Sequence, residues 1–177
     1  MGFCLFNNIA VGLQHARALH GLKRMAIIDF DVHHGNGTQD IFLSDASVFF
    51  ASIHADPATD YPFFWGHADE TGDGEGLGTT LNLPLAQGAT LDLFRSAQTV
   101  ALDAITRFRP DLLIVSFGAD TWTGDPISYF KLETADYEIL ARDIAVRGWP
   151  TVIAMEGGYA TGALGANVTS LLAGFQP

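Results

Sequence analysis

The chain has little cysteine, little basic charge and no long apolar run. Its single cysteine, Cys4, excludes a disulfide within the chain and fits a reducing compartment. Nine Lys and Arg residues against 20 Asp and Glu residues give a net charge of −11, which argues against binding of nucleic-acid phosphates and suits cationic substrates. No apolar stretch reaches membrane-spanning length, and the first residues lack the basic segment and cleavage site of a signal peptide. We therefore expect a soluble, cytoplasmic protein that binds neither nucleic acid nor a membrane.

Hydrophobic residues make up 48 % of the 177-residue chain, enough to form the core of a single domain over residues 1–177. Apolar, β-branched or aromatic runs predict strands at residues 24–31, 48–54, 79–85, 111–118 and 151–156. Apolar residues at helical spacing predict helices at residues 7–20, 91–108, 132–147 and 163–175. This alternation predicts a three-layer α/β/α fold, with a mainly parallel sheet between two layers of helices.

Residues 55–78 have no periodicity and contain an aromatic cluster at Tyr61, Phe63, Phe64 and Trp65. A loop of this length inside a compact domain usually carries function. Because an aromatic cluster needs a surface to pack against, we expect an ordered loop rather than a disordered insert.

The first predicted strand ends in Asp-Phe-Asp-Val-His-His at residues 29–34, followed by Gly-Asn-Gly. Because successive strand residues point to opposite faces, we expect Asp29, Asp31 and His33 to project from the same side. Carboxylates and an imidazole on one face are potential metal ligands. The alternative is an ordinary polar strand end beside a turn.

Two other predicted strands also end in chemically useful residues. Asp120 follows the fourth strand, and Tyr159 follows the fifth strand on a Gly-Gly turn. The carboxyl ends of parallel strands form the ligand-binding edge of such a sheet. Asp31, His33 and Asp120 would then supply two oxygens and one nitrogen, with a coordination position left open as in catalytic metal sites.

Several longer segments resemble one protein family. They are Gly-Phe-Cys-Leu-Phe-Asn-Asn at 2–8, Asp-Phe-Asp-Val-His-His-Gly-Asn-Gly-Thr at 29–38, Gly-Ala-Asp-Thr at 118–121, Gly-Asp-Pro at 124–126 and Glu-Gly-Gly-Tyr at 156–159. On these motifs the chain resembles the zinc-dependent histone deacetylase superfamily, which has the arginase-like α/β fold. The segments at 54–57, 61–72 and 125–132 are most similar to those of bacterial acetylpolyamine amidohydrolases. The resemblance implies metal-dependent hydrolysis of small acetylated amines or acetyl-lysine.

The resemblance also implies roles for the matching residues. Asp31, His33 and Asp120 would hold Zn²⁺, with Fe²⁺ or Co²⁺ as other metals that could serve. Tyr159 would donate its hydroxyl to the oxyanion that develops on the substrate. The alternative for Tyr159 is a packed aromatic residue after a glycine turn.

A substrate channel is implied in the same way. Phe3 and Phe64 would flank a slender acyl-lysine-like chain, with Gly2, Ile127 and Gly158 nearby. Without the resemblance, core packing would be the better interpretation of Phe3, Phe64 and Ile127.

The family further binds a monovalent cation, usually K⁺, behind the zinc. The matching residues are Asp29, Asp31, His33, Ser52 and Ile53. For Asp29 the alternative is a carboxylate that orients a neighbouring ligand, and both roles can hold together.

One part of the family pattern is not found. Family members carry an upstream segment with a strand, a Pro-Gly turn and a His-His pair that serves as general base and acid, whereas the one His-His pair here includes His33, which is needed as a ligand. We therefore expect the C-terminal part of a deacetylase domain, missing its N-terminal strands and impaired in activity. The alternative is a non-catalytic metal-binding fragment or pseudoenzyme that acts through a partner subunit, and a homo-oligomer is compatible with it. An arginase-like two-manganese ureohydrolase is disfavoured because ligands for a second metal are lacking.

Overall fold

The computed structural model describes residues 4–176. Its helices and strands run in the order α1 (Asn8–His20), β1 (Met25–Asp29), α2 (Asn36–Phe42), β2 (Val48–Ala55), β3 (Thr80–Leu85), α3 (Leu91–Phe108), β4 (Leu112–Phe117), α4 (Thr134–Ala145), β5 (Thr151–Met155) and α5 (Thr161–Gly174). Every strand and helix predicted from the sequence is confirmed, with ends that differ by at most a few residues. The short helix α2 is an addition that the sequence pattern did not indicate.

The sheet contains five strands in the order β3-β2-β1-β4-β5, and all the pairings are parallel. The central strand β1 pairs with β2 on one side and β4 on the other. All residues of β1 and β2 are buried, as expected for strands covered on both faces. The topology therefore places the carboxyl ends of β1 and β4 side by side.

Alternate residues of the strands build two separate cores. Ala26 and Ile28 of β1 face the larger core, which α3 and α4 cover with residues such as Phe94 and Leu140. Met25 and Ile27 face the smaller core, which α1 and α2 cover with residues that include Leu13 and Phe42. Helices on both faces of a parallel sheet give the three-layer α/β/α architecture that the sequence predicted. No helix within residues 4–176 is long and apolar enough to cross a bilayer.

Candidate metal centre

Asp31, His33 and Asp120 meet at the carboxyl edge of the sheet. Asp31 and His33 follow β1, and Asp120 lies in a single 3₁₀ turn, Ala119–Thr121, after the neighbouring strand β4. His33 Nδ1 lies 3.2 Å from Asp31 Oδ1 and 3.8 Å from Asp120 Oδ2. One donor atom from each of the three residues lies within 4.8 Å of the others. The sequence predicted that these residues lie at the carboxyl edge of the sheet, and the structure places their donor atoms close enough to bind a single ion.

The local geometry differs from the expected strand alternation. β1 ends at Asp29, and Asp31 to His33 form a bend rather than a strand. Two carboxylates shape this bend, because Asp29 Oδ1 accepts the Asp31 N–H at 3.1 Å and Asp31 Oδ1 accepts the His33 N–H at 2.8 Å. Asp31 and His33 therefore converge from a bend and not from one face of an extended strand, since backbone-to-carboxylate hydrogen bonds turn the chain before His33.

Backbone N–H groups hold the carboxylates of Asp31 and Asp120. Asp120 Oδ1 accepts the Val32 N–H, and Asp31 Oδ2 accepts the Gly157 N–H, each at 3.0 Å. A Cβ at Gly157 would overlap Asp31 Oδ2 and Asp120 Oδ2, and a Cβ at Gly118 would overlap the Asp31 backbone. Only glycine fits at these two positions, because the backbone approaches the carboxylates so closely.

The electrostatics of the centre call for a cation. Asp120 is fully buried, and its Oδ2 atom has no hydrogen-bond partner among the described residues. Burial, and next the negative charge of Asp31, raise the pKa of Asp120 to about 9. A buried carboxylate oxygen without a donor, beside a second carboxylate and an imidazole, fits a divalent metal with nitrogen and oxygen ligands such as zinc.

Asp29 lies behind the centre rather than in it. Burial, and next the charge of Asp31, raise the pKa of Asp29 well above its usual range. Across the β1–β2 pairing, Asp29 is in register with Ser52, whose hydroxyl lies 2.8 Å from His54 Nδ1, and Ile53 follows in the buried strand. Of the residues expected to bind potassium, Asp29, Ser52 and Ile53 are thus neighbours in the sheet, whereas Asp31 and His33 lie in the bend after it, and the cation role of all five stays a prediction.

Tyr159 lies beyond β5 on the glycine turn that also supplies the Gly157 N–H to Asp31. The tyrosine is half exposed, and burial with the charges of Asp31 and Asp120 raises its pKa. Gly158 has a φ of 139°, a conformation that favours glycine. The turn therefore places the Tyr159 backbone two residues after the N–H that binds Asp31, and the role of its hydroxyl stays a prediction.

Of the side chains expected along a substrate channel, Ile127 is the one that the described residues place beside the metal centre. Ile127 and His33 line the same narrow cleft. Phe64 is 83 % exposed in the long loop, free to contact a ligand. Tyr61 of that loop, which the sequence analysis gave no role, sets its ring edge-on to the His33 ring with centroids 6.0 Å apart. Gly2 and Phe3 lie outside the described residues.

The loop is ordered by a second polar cluster, which we call the histidine network and define as His34, Gln39, His54, Glu70 and Asn82. Gln39 Oε1 lies 2.8 Å from His34 Nε2 and accepts from Asn82 Nδ2, while Gln39 Nε2 donates to Glu70. Glu70 accepts the N–H of loop residues 66 and 67, and His54 Nε2 lies 2.9 Å from the carbonyl oxygen of residue 66. Burial lowers the pKa of His34 to about 4 and that of His54 to about 3, so both imidazoles are neutral at pH 7.

One residue of the site has a connecting position that the sequence did not indicate. Asp125 belongs to the Gly-Asp-Pro motif and to the segment 125–132, which indicated no role for it, yet its buried carboxylate accepts the backbone N–H groups of Ile127, Tyr159 and Ala160. The contacts to Tyr159 and Ala160 span 34 and 35 residues of sequence, so no local pattern could have revealed them.

Comparison with known proteins agrees with this architecture. The histone deacetylase domain family matches residues 1–175. The chain is 47 % identical over 175 residues to acetylpolyamine amidohydrolase 1 of Pseudomonas aeruginosa and 48 % identical over 174 residues to the acetylpolyamine amidohydrolase of Mycoplana ramosa, covering 99 % and 98 % of this chain and 50 % of each relative. The crystal structure of the acetylpolyamine aminohydrolase of Burkholderia pseudomallei matches with a TM-score of 0.94 at 41 % identity, over 98 % of this chain and 50 % of that one. The chain thus spans about half the length of these relatives, and it belongs to the histone deacetylase family.

Proposed function

We propose that this chain carries the metal-binding and oxyanion-binding side of a zinc-dependent deacetylase that hydrolyses acetylated amines of the acetylpolyamine or acetyl-lysine type. The observation that carries the proposal is the buried, unpartnered Asp120 Oδ2, which lies against Asp31 and His33. Membership of a family of deacetylases and the names of the relatives support the same reaction class.

Asp31, His33 and Asp120 would hold the metal through two oxygens and one nitrogen, with Zn²⁺ as the preferred ion and Fe²⁺ or Co²⁺ as substitutes. When bound, such an ion polarises an amide carbonyl and lowers the pKa of a coordinated water. The chain's own contribution is rigidity, since Val32 and Gly157 fix the carboxylates through their N–H groups before any ion arrives.

Tyr159 would donate its hydroxyl to the amide oxygen as negative charge develops there. Its raised pKa keeps the phenol protonated at pH 7 and therefore able to donate. A hydrogen bond that strengthens only as charge develops lowers the barrier to reaction rather than merely tightening substrate binding.

Phe64 and Ile127 would form apolar walls around the alkyl arm of the substrate, with Gly158 at the turn and Tyr61 beside His33. An aromatic and an aliphatic wall favour a thin methylene chain and exclude bulky groups. The net charge of −11 would attract a cationic amine to this surface. Gly2 and Phe3 complete the proposed channel from outside the described residues.

Asp29, Asp31, His33, Ser52 and Ile53 are the residues that we propose for a K⁺ ion behind the metal. The register of Asp29 with Ser52 supports this role. We further propose that residues 1–177 form a single, partial deacetylase domain, and that the protein works in the cytoplasm.

A second candidate function is metal binding without turnover, through a partner subunit. It is supported by the positions of the chain's six histidines, all of which lie in residues 4–176. His34 and His54 belong to the histidine network, His67 lies 3.3 Å from the Phe63 carbonyl oxygen, and His15 packs against His20 on α1. His33 alone reaches the triad, so the described residues provide no imidazole to act as general base.

The test measures zinc binding and turnover together, on an acetylated polyamine and an acetyl-lysine peptide. Tyr159→Phe should leave zinc affinity unchanged and lower kcat by about 10²–10³-fold, the usual effect of losing one oxyanion donor. Turnover at the wild-type rate in Tyr159→Phe would remove that role. Zinc binding with no turnover, and no rescue by added imidazole as an external base, would favour the second candidate.

A further inference from the structure

Asp125 lies where two functional segments meet. It is 6 % exposed, and no Lys, Arg or His side chain forms an ion pair with it among residues 4–176. A buried carboxylate without a cation must be satisfied by hydrogen-bond donors. All three of its donors are backbone N–H groups.

The two carboxylate oxygens contact different segments. Oδ2 accepts the N–H of Tyr159 at 2.7 Å and that of Ala160 at 3.1 Å, whereas Oδ1 accepts the N–H of Ile127 at 3.1 Å. Asp125 is itself fixed, because its own N–H donates to the Trp122 carbonyl oxygen at 3.0 Å, directly after the turn that holds Asp120. One carboxylate therefore links the metal-binding turn to both segments.

Gly157 is held by Asp31 and by the Ala119 N–H, but among the described residues the N–H groups of Tyr159 and Ala160 have no acceptor other than Asp125. Helix α5 begins at Thr161, and Ala160 before it has no side chain that could cap the helix. Asp125 provides the missing acceptor from a distant part of the chain, and its negative charge is favourable at a helix N-terminus. Without it, the turn 157–160 would lose the acceptor that holds the Tyr159 backbone.

We propose that Asp125 is a positioning residue, which fixes the backbones of Tyr159 and Ile127 relative to the metal centre. The consequence for catalysis rests on the role proposed above for Tyr159. Asp125 touches neither substrate nor metal in this account; it acts through the residues whose N–H groups it binds.

The chemistry of the side chain predicts a difference between two substitutions. Asp125→Ala removes all three acceptor contacts and should release both segments. Asp125→Asn keeps one carbonyl oxygen, and its amide can take two orientations. The orientation that accepts the N–H groups of Tyr159 and Ala160 retains two hydrogen bonds, so it should be more stable than the one that accepts only the Ile127 N–H. Its NH₂ group then faces the Ile127 N–H, so Asn should release the Ile127 segment alone.

The experiment compares amide hydrogen exchange and kinetics in the zinc-loaded chain. In Asp125→Ala, exchange at residues 159 and 160 should accelerate about tenfold or more, as expected when hydrogen bonds to a charged group are lost. In Asp125→Asn, the acceleration should be confined to residue 127, with KM raised and kcat largely kept, whereas Asp125→Ala should lower kcat. If the alanine variant does not fold, the asparagine variant still tests the inference, because its exchange should accelerate at residue 127 and not at residues 159 and 160.

The matched control is Asp136→Ala. Asp136 also accepts a backbone N–H at the start of a helix, from Glu133 at 2.8 Å, but on α4. It should cost stability without changing exchange at residues 127 and 159 or the ratio of kcat to KM. Unchanged exchange at residues 127, 159 and 160 in both Asp125 variants would overturn the inference. So would accelerated exchange with wild-type kinetics in an active enzyme. An inactive wild-type chain that binds zinc favours metal binding without turnover instead, and the exchange data still decide whether Asp125 holds the two segments.

Discussion

His33 and His34 are adjacent in sequence but belong to two polar clusters of opposite character. His33 joins two carboxylates at the metal centre, where burial raises the pKa of Asp120 to about 9 and one oxygen lacks a donor. His34 joins the histidine network, where burial lowers its pKa to about 4 and the single carboxylate, Glu70, receives several N–H donors. Two carboxylates with an unpaired buried oxygen need an ion from outside, whereas a single carboxylate that receives donors from within the chain can serve as structure alone.

The largest expected effect on zinc binding, which should change the metal centre and not the histidine network, comes from Gly157→Ala. The new Cβ would displace Asp31 Oδ2 and Asp120 Oδ2. Because loss of a group that only orients a metal ligand weakens binding by about 10–100-fold, displacement of two ligand atoms should weaken zinc binding by about 100-fold or more. Isothermal titration measures the affinity. Gly162→Ala is the control, since a Cβ there meets nothing within 4 Å and should leave zinc affinity unchanged. Equal zinc affinity in both variants would contradict the close approach at Gly157.

A smaller effect distinguishes the histidine network by its pH dependence. His34 and His54 have folded pKa values below the 6.5 of an unfolded histidine, so their stabilising contribution is complete above pH 6.5 and is lost as the pH falls toward 4 and 3. Between pH 7 and pH 5 each histidine should lower the free energy of unfolding by about 2 kcal/mol. Asp120 has the opposite sign: its raised pKa favours the metal-free fold at low pH, and this contribution is lost as the pH rises through about 9.

Urea unfolding at the two pH values measures this contribution, taken as the difference between wild type and His54→Asn so that other groups cancel. The variant should lose about half of the network's pH dependence. His15→Asn, an exposed histidine on α1, provides the control and should not change it. An identical pH dependence in wild type and His54→Asn would show that the network does not keep this imidazole neutral.

The sequence predicted what depends on periodicity and failed where single long-range contacts decide. Apolar runs located all five strands, and strand order then brought Asp31, His33 and Asp120 to one edge. Helix α2 was missed because it has seven residues and begins in a Gly-Asn-Gly turn, too short for a periodic signal. The bend after Asp29 depends on a carboxylate that binds a nearby N–H group, and the position of Tyr159 depends on the Asp125 carboxylate, which binds a distant N–H group. Neither contact leaves a periodic pattern in the sequence.

The central claim is that Asp31, His33 and Asp120 together bind one divalent ion, and a zinc titration tests it most directly. The wild-type chain should bind one equivalent of zinc, and Asp120→Ala should bind it about 100-fold more weakly or worse, a loss at least as large as that from an outer-shell change. Asp40→Ala, an exposed carboxylate on α2, should match wild type. Zinc affinity in Asp120→Ala equal to that of wild type would contradict the account.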